Sequence, residues 1–173
     1  MARPTTRRTS TRRSAFPGER HDHRGCIETA LDAAEHVCER RGGRLTALRR
    51  RVLELIWRSH EPVGAYTVLQ LLQAEREGAA PPTVYRAIDF LLAHGLIHRI
   101  ESRNAFVGCD RPGESHAGQF LVCSDCGVAA ELRDPRIDEA IASSADEAGF
   151  DLERQVIELS GRCPACAGRA THG

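Results

Sequence analysis

The chain has no lysine, no net charge and no apolar run longer than a few residues. The last of these excludes a helical membrane span, which needs about 20 consecutive apolar residues; Phe90-Leu91-Leu92-Ala93 is among the longest runs present. The arginine-rich start carries pairs at Arg7-Arg8 and Arg12-Arg13, but the residues from Ser14 to Arg24 provide no apolar core of the kind an export signal requires. A cytoplasmic protein is expected, and in that compartment seven cysteines point to metal rather than to disulfides. There is no internal repeat.

The lack of lysine leaves all 24 basic residues as arginine, whose planar guanidinium suits phosphate, although genome composition produces the same bias. The zero net charge hides an uneven distribution. Residues 1–26 carry seven Arg against two acids, residues 27–104 eleven against ten, and residues 105–173 six against twelve. A basic front and an acidic back suit a protein that docks on nucleic acid through its N-terminal half. Residues 1–26, rich in Arg, Thr, Ser, Pro and Gly, read as a disordered basic tail, with or without a partner of its own. A length of 173 residues with 41% hydrophobic content accommodates one ordinary domain or two small ones.

Two Cys-x-x-Cys knuckles, Cys123/Cys126 and Cys163/Cys166, flank a 36-residue insert. Four thiolates on one Zn²⁺ close the metal to chemistry, so this spacing predicts a structural site. Gly127 after the first knuckle and Pro164 within the second supply turn residues that let the sulfurs converge. Because the insert exceeds the usual ribbon spacing, its ends must be brought together by elements of its own. The competing readings are four reduced buried cysteines or a redox Cys-x-x-Cys pair, and the latter requires a thioredoxin-like βαβ order with a knuckle opening a helix, which neither evidently does.

Helical periodicity begins at Ile27 and runs through Ala30, Leu31, Ala34, Val37 and Cys38 to a Gly42-Gly43 stop. Cys38 falls on the apolar face and Cys26 is left over as incidental. Thr46 caps a second helix with Leu48, Val52, Leu55 and Ile56 on its apolar face, and a third carries Ala65, Tyr66, Leu69 and Leu72. Pro81-Pro82 introduces a fourth, in which Val84, Ile88, Leu91 and Leu92 form the buried stripe, Thr83, Tyr85, Arg86 and Asp89 the opposite face, and Gly95 the stop. Leu96–Glu101 and Ala105–Cys109, joined by Ser102-Arg103-Asn104, read as a hairpin. Helices followed by a hairpin are the order of a winged helix-turn-helix over residues 27–109. The remainder reads strand (Gln119–Cys123), strand (Val128–Leu132), helix (Pro135–Ala148) and strand (Leu152–Leu159) before the closing knuckle.

In a winged helix the second helix of the motif enters the major groove, here the segment Thr83–Ala93. Arg86 has the fork that guanine accepts, and Tyr85 suits a phosphate or a thymine methyl; the alternative is that Tyr85 packs on the domain and Arg86 pairs with Asp89. The expected DNA-facing residues are Thr83, Tyr85 and Arg86, with Arg44 and Tyr66 beside them. A second metal-binding group, His98, Cys109, His116 and Glu131, offers two imidazoles, a thiolate and a carboxylate, a set suited to tetrahedral zinc. Its spacing alone does not single it out, since a histidine on a strand is more often a surface residue than a ligand.

Four motifs in fixed order, Arg44-Leu45-Thr46, Pro81-Pro82-Thr83-Val84-Tyr85-Arg86-Ala87, Cys123-Ser124-Asp125-Cys126-Gly127 and Cys163-Pro164-Ala165-Cys166, resemble the ferric uptake regulator superfamily and, within it, the zinc-responsive branch. The resemblance covers Ile27 to Cys166. It implies an α+β protein: an N-terminal winged helix-turn-helix domain followed by a small α/β dimerisation domain, residues 110–173, with a four-cysteine zinc site. It further implies a homodimeric repressor of double-stranded operator DNA, with no catalytic activity, no membrane and no small-molecule substrate, and with two Zn²⁺ per chain, one structural and one regulatory. Carried over residue by residue, the regulatory ligands fall on His98, Cys109, His116 and Glu131. Iron and peroxide sensors of the superfamily bear a histidine cluster before the first knuckle, whereas this chain has only His116 there, and Cys109 softens the site toward zinc. A sensor of iron, manganese or peroxide, and a zinc ribbon that never touches DNA, remain the alternatives within binding proteins. Gln70 and Gln73 stand where related zinc regulators place charges that link neighbouring dimers, which leaves cooperative DNA binding open.

Overall fold

The computed structural model describes residues 15–16, 23–58, 60–75, 79–114 and 118–169. Four helices open the fold: α1 (His23–Arg40), α2 (Ala47–Trp57), α3 (Ala65–Glu75) and α4 (Pro81–Ala93). The terminators act as the sequence predicts, with Gly42 and Gly95 at φ 67° and 63°, in the left-handed region that side chains resist. Thr46 accepts the Arg49 amide as N-cap of α2, and Pro81 and Pro82 fill the first turn of α4, where amide hydrogens have no helical partner. Leu31, Val37, Val52, Leu55, Ile56, Val68, Leu72, Val84, Ile88 and Leu91 interlock as one apolar core. Leu92, expected in the buried stripe, is only half-buried; Ala87 is buried in the stripe instead.

The wing is an antiparallel hairpin of β1 (Ile97–Ile100) and β2 (Ala105–Gly108), with Ile97 opposite Gly108 and Ile100 opposite Ala105. A single 3-10 turn, Glu101–Arg103, joins them, and Asn104 completes it at φ 46° with its Oδ1 held by Arg99 at 2.8 Å. Val63 pairs with Phe106 through two backbone hydrogen bonds of 2.9 and 2.8 Å, fastening the hairpin to the segment before α3.

The second half is a three-stranded sheet ordered β4 (Ala129–Glu131), β3 (Gly118–Cys123), β5 (Val156–Gly161), with β3 antiparallel to β4 and parallel to β5. The parallel pairing needs a crossover, which α5 (Pro135–Glu147) supplies; Asp134 caps it by accepting the Arg136 amide. Ile100 of the wing packs with Phe120, Val122 and Ala129 of this sheet, so the two halves share an apolar seam.

Most strand ends shift by a single residue, two boundaries move further and one short helix is added. Helix α1 starts at His23 rather than Ile27, because the apolar period marks where a helix gains a buried face and not where its hydrogen bonds begin. The last strand is Val156–Gly161 and not Leu152–Leu159, since pairing with β3 fixes its register and residues 151–155 have no partner strand. The second knuckle does open a helix, α6 (Pro164–Arg169), with Pro164 in its first position. Among the described residues no helix is long and apolar enough to cross a membrane.

Candidate metal centres and nucleic-acid interface

Strand β3 ends at Cys123 and β5 ends just before Arg162-Cys163, so their parallel pairing delivers the two knuckles side by side. The ligand atoms of Cys123, Cys126, Cys163 and Cys166 all lie within 4.8 Å of one another. Cys126 Sγ and Cys163 Sγ are 3.8 Å apart, about the edge of a tetrahedron with arms of roughly 2.3 Å, the usual Zn–S bond. The contact runs between knuckles, which is the arrangement of one four-fold site and not of two separate redox pairs. Cys163 donates its amide to Cys123 Sγ at 3.4 Å, and this bond, with that from the Cys126 amide, holds the Cys123 thiol down to about 6. Arg169 donates to Cys166 Sγ at 2.9 Å, a charge-assisted bond to a ligand atom.

The second group joins the two halves of the molecule. His98 lies on β1, Cys109 directly follows β2 and Glu131 ends β4, and their ligand atoms lie within 4.8 Å of one another. His116, expected as the fourth ligand, lies outside the described residues. Burial pushes the Cys109 thiol up to about 12, with the Glu131 and Asp110 carboxylates adding to it. Burial, together with a hydrogen bond to Asp110, raises the Glu131 carboxyl to about 7 against the pull of Arg133. A divalent cation supplies the positive charge that burial otherwise denies such a set. A thiol just past β2, an imidazole on β1 and a carboxyl on β4 fit borderline zinc better than a hard cation. Arg133 bridges Glu131, at 3.1 Å, and Asp110, so the carboxylate is oriented from behind.

On the opposite end of the helical half, Thr83, Tyr85, Arg86 and Asp89 are all exposed on one face of α4. Tyr85 is 53% exposed and therefore does not pack on the domain, and Tyr66 at the start of α3 is 68% exposed. Arg44 is exposed ahead of α2. A groove of about 180 Å³ lined by Thr46, Leu48, Arg49, Thr83, Arg86 and Ala87 separates the first turns of α2 and α4. Arg49 is held there by the Arg44 carbonyl at 2.7 Å and by the Phe90 ring, 3.5 Å from its guanidinium carbon. Two helix N-termini and two arginines around one groove favour an anionic partner.

Sequence reasoning passed over several of these residues. Arg133 and Arg49 act through Asp110 and Phe90, both distant in sequence, and Arg169 lies one turn past the second knuckle at a position that carries no motif of its own. Gln119 is buried, and its Nε2 reaches Asp138 of α5 at 2.6 Å. The continuous apolar run Phe120-Leu121-Val122 beside it gives no alternation that would have marked Gln119 as facing inward.

The comparisons agree with this geometry. Residues 40–160 match the model of the Ferric uptake regulator family. The zinc uptake regulation protein of Escherichia coli strain K12 is 39% identical over 139 residues, 79% of this chain and 80% of that protein. The ferric uptake regulation protein of Cupriavidus metallidurans is 32% identical over 125 residues, 70% of this chain and 85% of its own. Among solved structures, a zinc uptake regulator complexed with zinc and DNA superposes with a TM-score of 0.79 at 36% identity, covering 84% of this chain and 97% of that one. Holo XcZur superposes at 0.75 with 42% identity, covering 81% and 98%. A winged hairpin joined to a cysteine-knuckled sheet, the match over residues 40–160 and the extent of these identities lead to one conclusion: the chain belongs to the ferric uptake regulator family.

Proposed function

We propose that this protein is a zinc-responsive transcriptional repressor that binds operator DNA as a homodimer and holds zinc-uptake genes off when zinc is plentiful. The observation that carries the reading is the convergence of His98 and Cys109 from the wing with Glu131 from the sheet, within 4.8 Å, across the joint between the two halves. Residues 27–109 form the DNA-reading unit and residues 110–173 the dimerising unit. Each chain takes two zinc ions: a structural one on Cys123, Cys126, Cys163 and Cys166, and a regulatory one on His98, Cys109, Glu131 and His116. When bound, the regulatory ion supplies charge that keeps its ligands together.

The residues do the rest. Strand β1 follows α4 after a three-residue turn, so whatever fixes His98 relative to Glu131 also fixes the direction of Thr83, Tyr85 and Arg86. A symmetric dimer must present two such helices at the spacing of two half-sites. Dimerisation is supported by α5, none of whose thirteen residues is buried, and by β5, whose outer edge is unpaired among the described residues and which exposes Val156 and Leu159 beside Phe150 and Leu152. Because zinc and operator both favour the joined state, each strengthens the other. The thiol of Cys109 within the set favours zinc over iron or manganese sensing.

The test is an electrophoretic mobility shift of purified protein, titrated against buffered free zinc, on an operator enriched from a random duplex pool, with metal content measured in parallel. Retardation that requires zinc, with two zinc per chain, is expected. Stripped protein that binds as tightly as loaded protein, or binding driven by iron or manganese and not by zinc, overturns the proposal.

A further inference from the structure

We infer that Phe16 is an apolar plug on the four-cysteine centre, so that this one side chain controls how readily zinc leaves it; this rests on the reading of that centre as a zinc site. Phe16 is the one Phe, Tyr or Trp among residues 1–26, set in a stretch dominated by Arg, Ser, Thr and Pro. It is half-buried and, with Cys126 and Val128, packs on the cluster formed by Cys123, Cys163 and Cys166. It also borders a cavity of about 120 Å³ with Leu121 and Val122 of β3 and Leu159 to Gly161 of β5. The ring therefore sits where both strands run into their knuckles.

Zinc leaves a thiolate site when a sulfur is protonated or when an incoming chelator takes over part of the coordination, and both require access to a sulfur. Cys123, Cys163 and Cys166 are buried, and Cys126 is the partly exposed member of the set. An aromatic side chain packed on these cysteines adds apolar cover and excludes water from the ligand atoms. The plug leaves the ligand set unchanged and slows its exchange. It lies apart from the residues of the α4 face, so it acts on metal retention and not on DNA reading.

The experiment follows transfer of zinc from the loaded full-length protein to excess 4-(2-pyridylazo)resorcinol, using Cys109→Ser protein to assign the phase that belongs to the four-cysteine centre. In Phe16→Ala that phase accelerates about tenfold, the scale of outer-shell effects on metal sites. Phe16→Leu, which keeps apolar bulk, restores most of the retention, and operator affinity of the zinc-loaded variants stays at the wild-type value. An unchanged rate in both variants, with zinc present at the centre, overturns the plug and leaves the zinc site standing. Wild-type protein with no slowly released zinc overturns both.

Discussion

Glu158 of β5 accepts the backbone amide of Glu101, at the turn of the wing, with an N···O distance of 2.5 Å, and its second oxygen accepts the Ser102 amide at 3.2 Å. Arg154 reinforces the link by pairing with Glu101 at 2.8 Å. The wing is thus clasped to the three-stranded sheet by a carboxylate that belongs to neither of the two clusters of metal-binding side chains. Burial opposes ionisation of Glu158, but the hydrogen bonds from Ser102 and from the Glu101 amide outweigh it and hold the carboxyl below its ordinary value.

Replacing Glu158 with Gln is expected to lower stability by about 1 kcal/mol at neutral pH, the worth of a hydrogen bond to a charged acceptor on a partly solvated surface. A carboxyl with a depressed folded pKa stabilises fully above its unfolded value, about 4.3, and loses that contribution as pH falls through the lower folded value. The stability gap between wild type and Glu158→Gln should therefore be widest near neutrality and close in acid. Chemical denaturation of both proteins at several pH values measures it, and a gap that does not vary with pH rules out the clasp.

The two proposed metal centres should separate by mutation. Cys109→Ser is expected to yield a folded dimer with one zinc per chain and operator affinity reduced roughly 5- to 150-fold, the usual range of coupling between sites. Cys123→Ser removes a ligand from a site of the kind that contributes on the order of 10 kcal/mol to folding, and should cost folding or dimerisation. Metal analysis and light scattering distinguish the two, and a stable, dimeric Cys123→Ser protein with one zinc fewer would contradict the structural role.

Much of this was legible from residue types in order. The helix stops at Gly42 and Gly95, the Thr46 cap, the Pro81-Pro82 entry and the two knuckles are local signals, and the chain obeys them. The chemistry of His98, Cys109 and Glu131 could be named from the sequence, but their convergence depends on a hairpin meeting a sheet, which no local period encodes. The bounds of β5 failed for a related reason, because its register is dictated by β3 more than thirty residues earlier. The Glu158 clasp and the Phe16 contact are single side chains meeting a backbone amide or a cysteine cluster far away in sequence. Nothing in their immediate neighbours announces them.

Arg86 is exposed on α4 beside Thr83, facing the groove shared with Thr46 and Arg49. Arg86→Ala should leave the melting temperature unchanged and weaken operator binding by about 1–3 kcal/mol, with relaxed preference at one base position, as expected for loss of a forked base contact. Arg49→Ala, if Arg49 meets phosphate, should instead weaken all sequences alike and reduce the salt slope by about one. Fluorescence anisotropy on operator and scrambled duplexes at several salt concentrations tells them apart.

Val156 is 38% exposed on β5, whose outer edge is unpaired among the described residues. If a second copy covers this face, Val156→Asp removes an apolar contact worth about 1.5–3 kcal/mol and sets a charge in its place. The variant is expected to sediment as a monomer at concentrations where wild type is dimeric. An unaltered dimer in analytical ultracentrifugation places the interface elsewhere.

Gly108 bears on the proposed regulatory site through its packing against Trp57. A Cβ there would lie 2.1 Å from Trp57 Cε2 and 2.2 Å from its Nε1, so the indole of α2 rests directly on the backbone of β2. Trp57 packs against the apolar core of the helical half and is not a loose side chain that swings aside. Gly108→Ala must therefore shift the end of β2, at a cost of about 1–3 kcal/mol for overpacking. That end leads straight into Cys109, whose amide is hydrogen-bonded to the Leu96 carbonyl at 3.0 Å, so the displacement reaches a proposed zinc ligand within one residue. Zinc affinity at the joint should fall about tenfold, as for other losses of support around a ligand, while the four-cysteine centre keeps its metal. Isothermal titration of zinc into protein stripped at the joint, alongside thermal unfolding, checks both effects. Wild-type affinity with an unchanged melting temperature would mean that the ring yields and that Gly108 is dispensable.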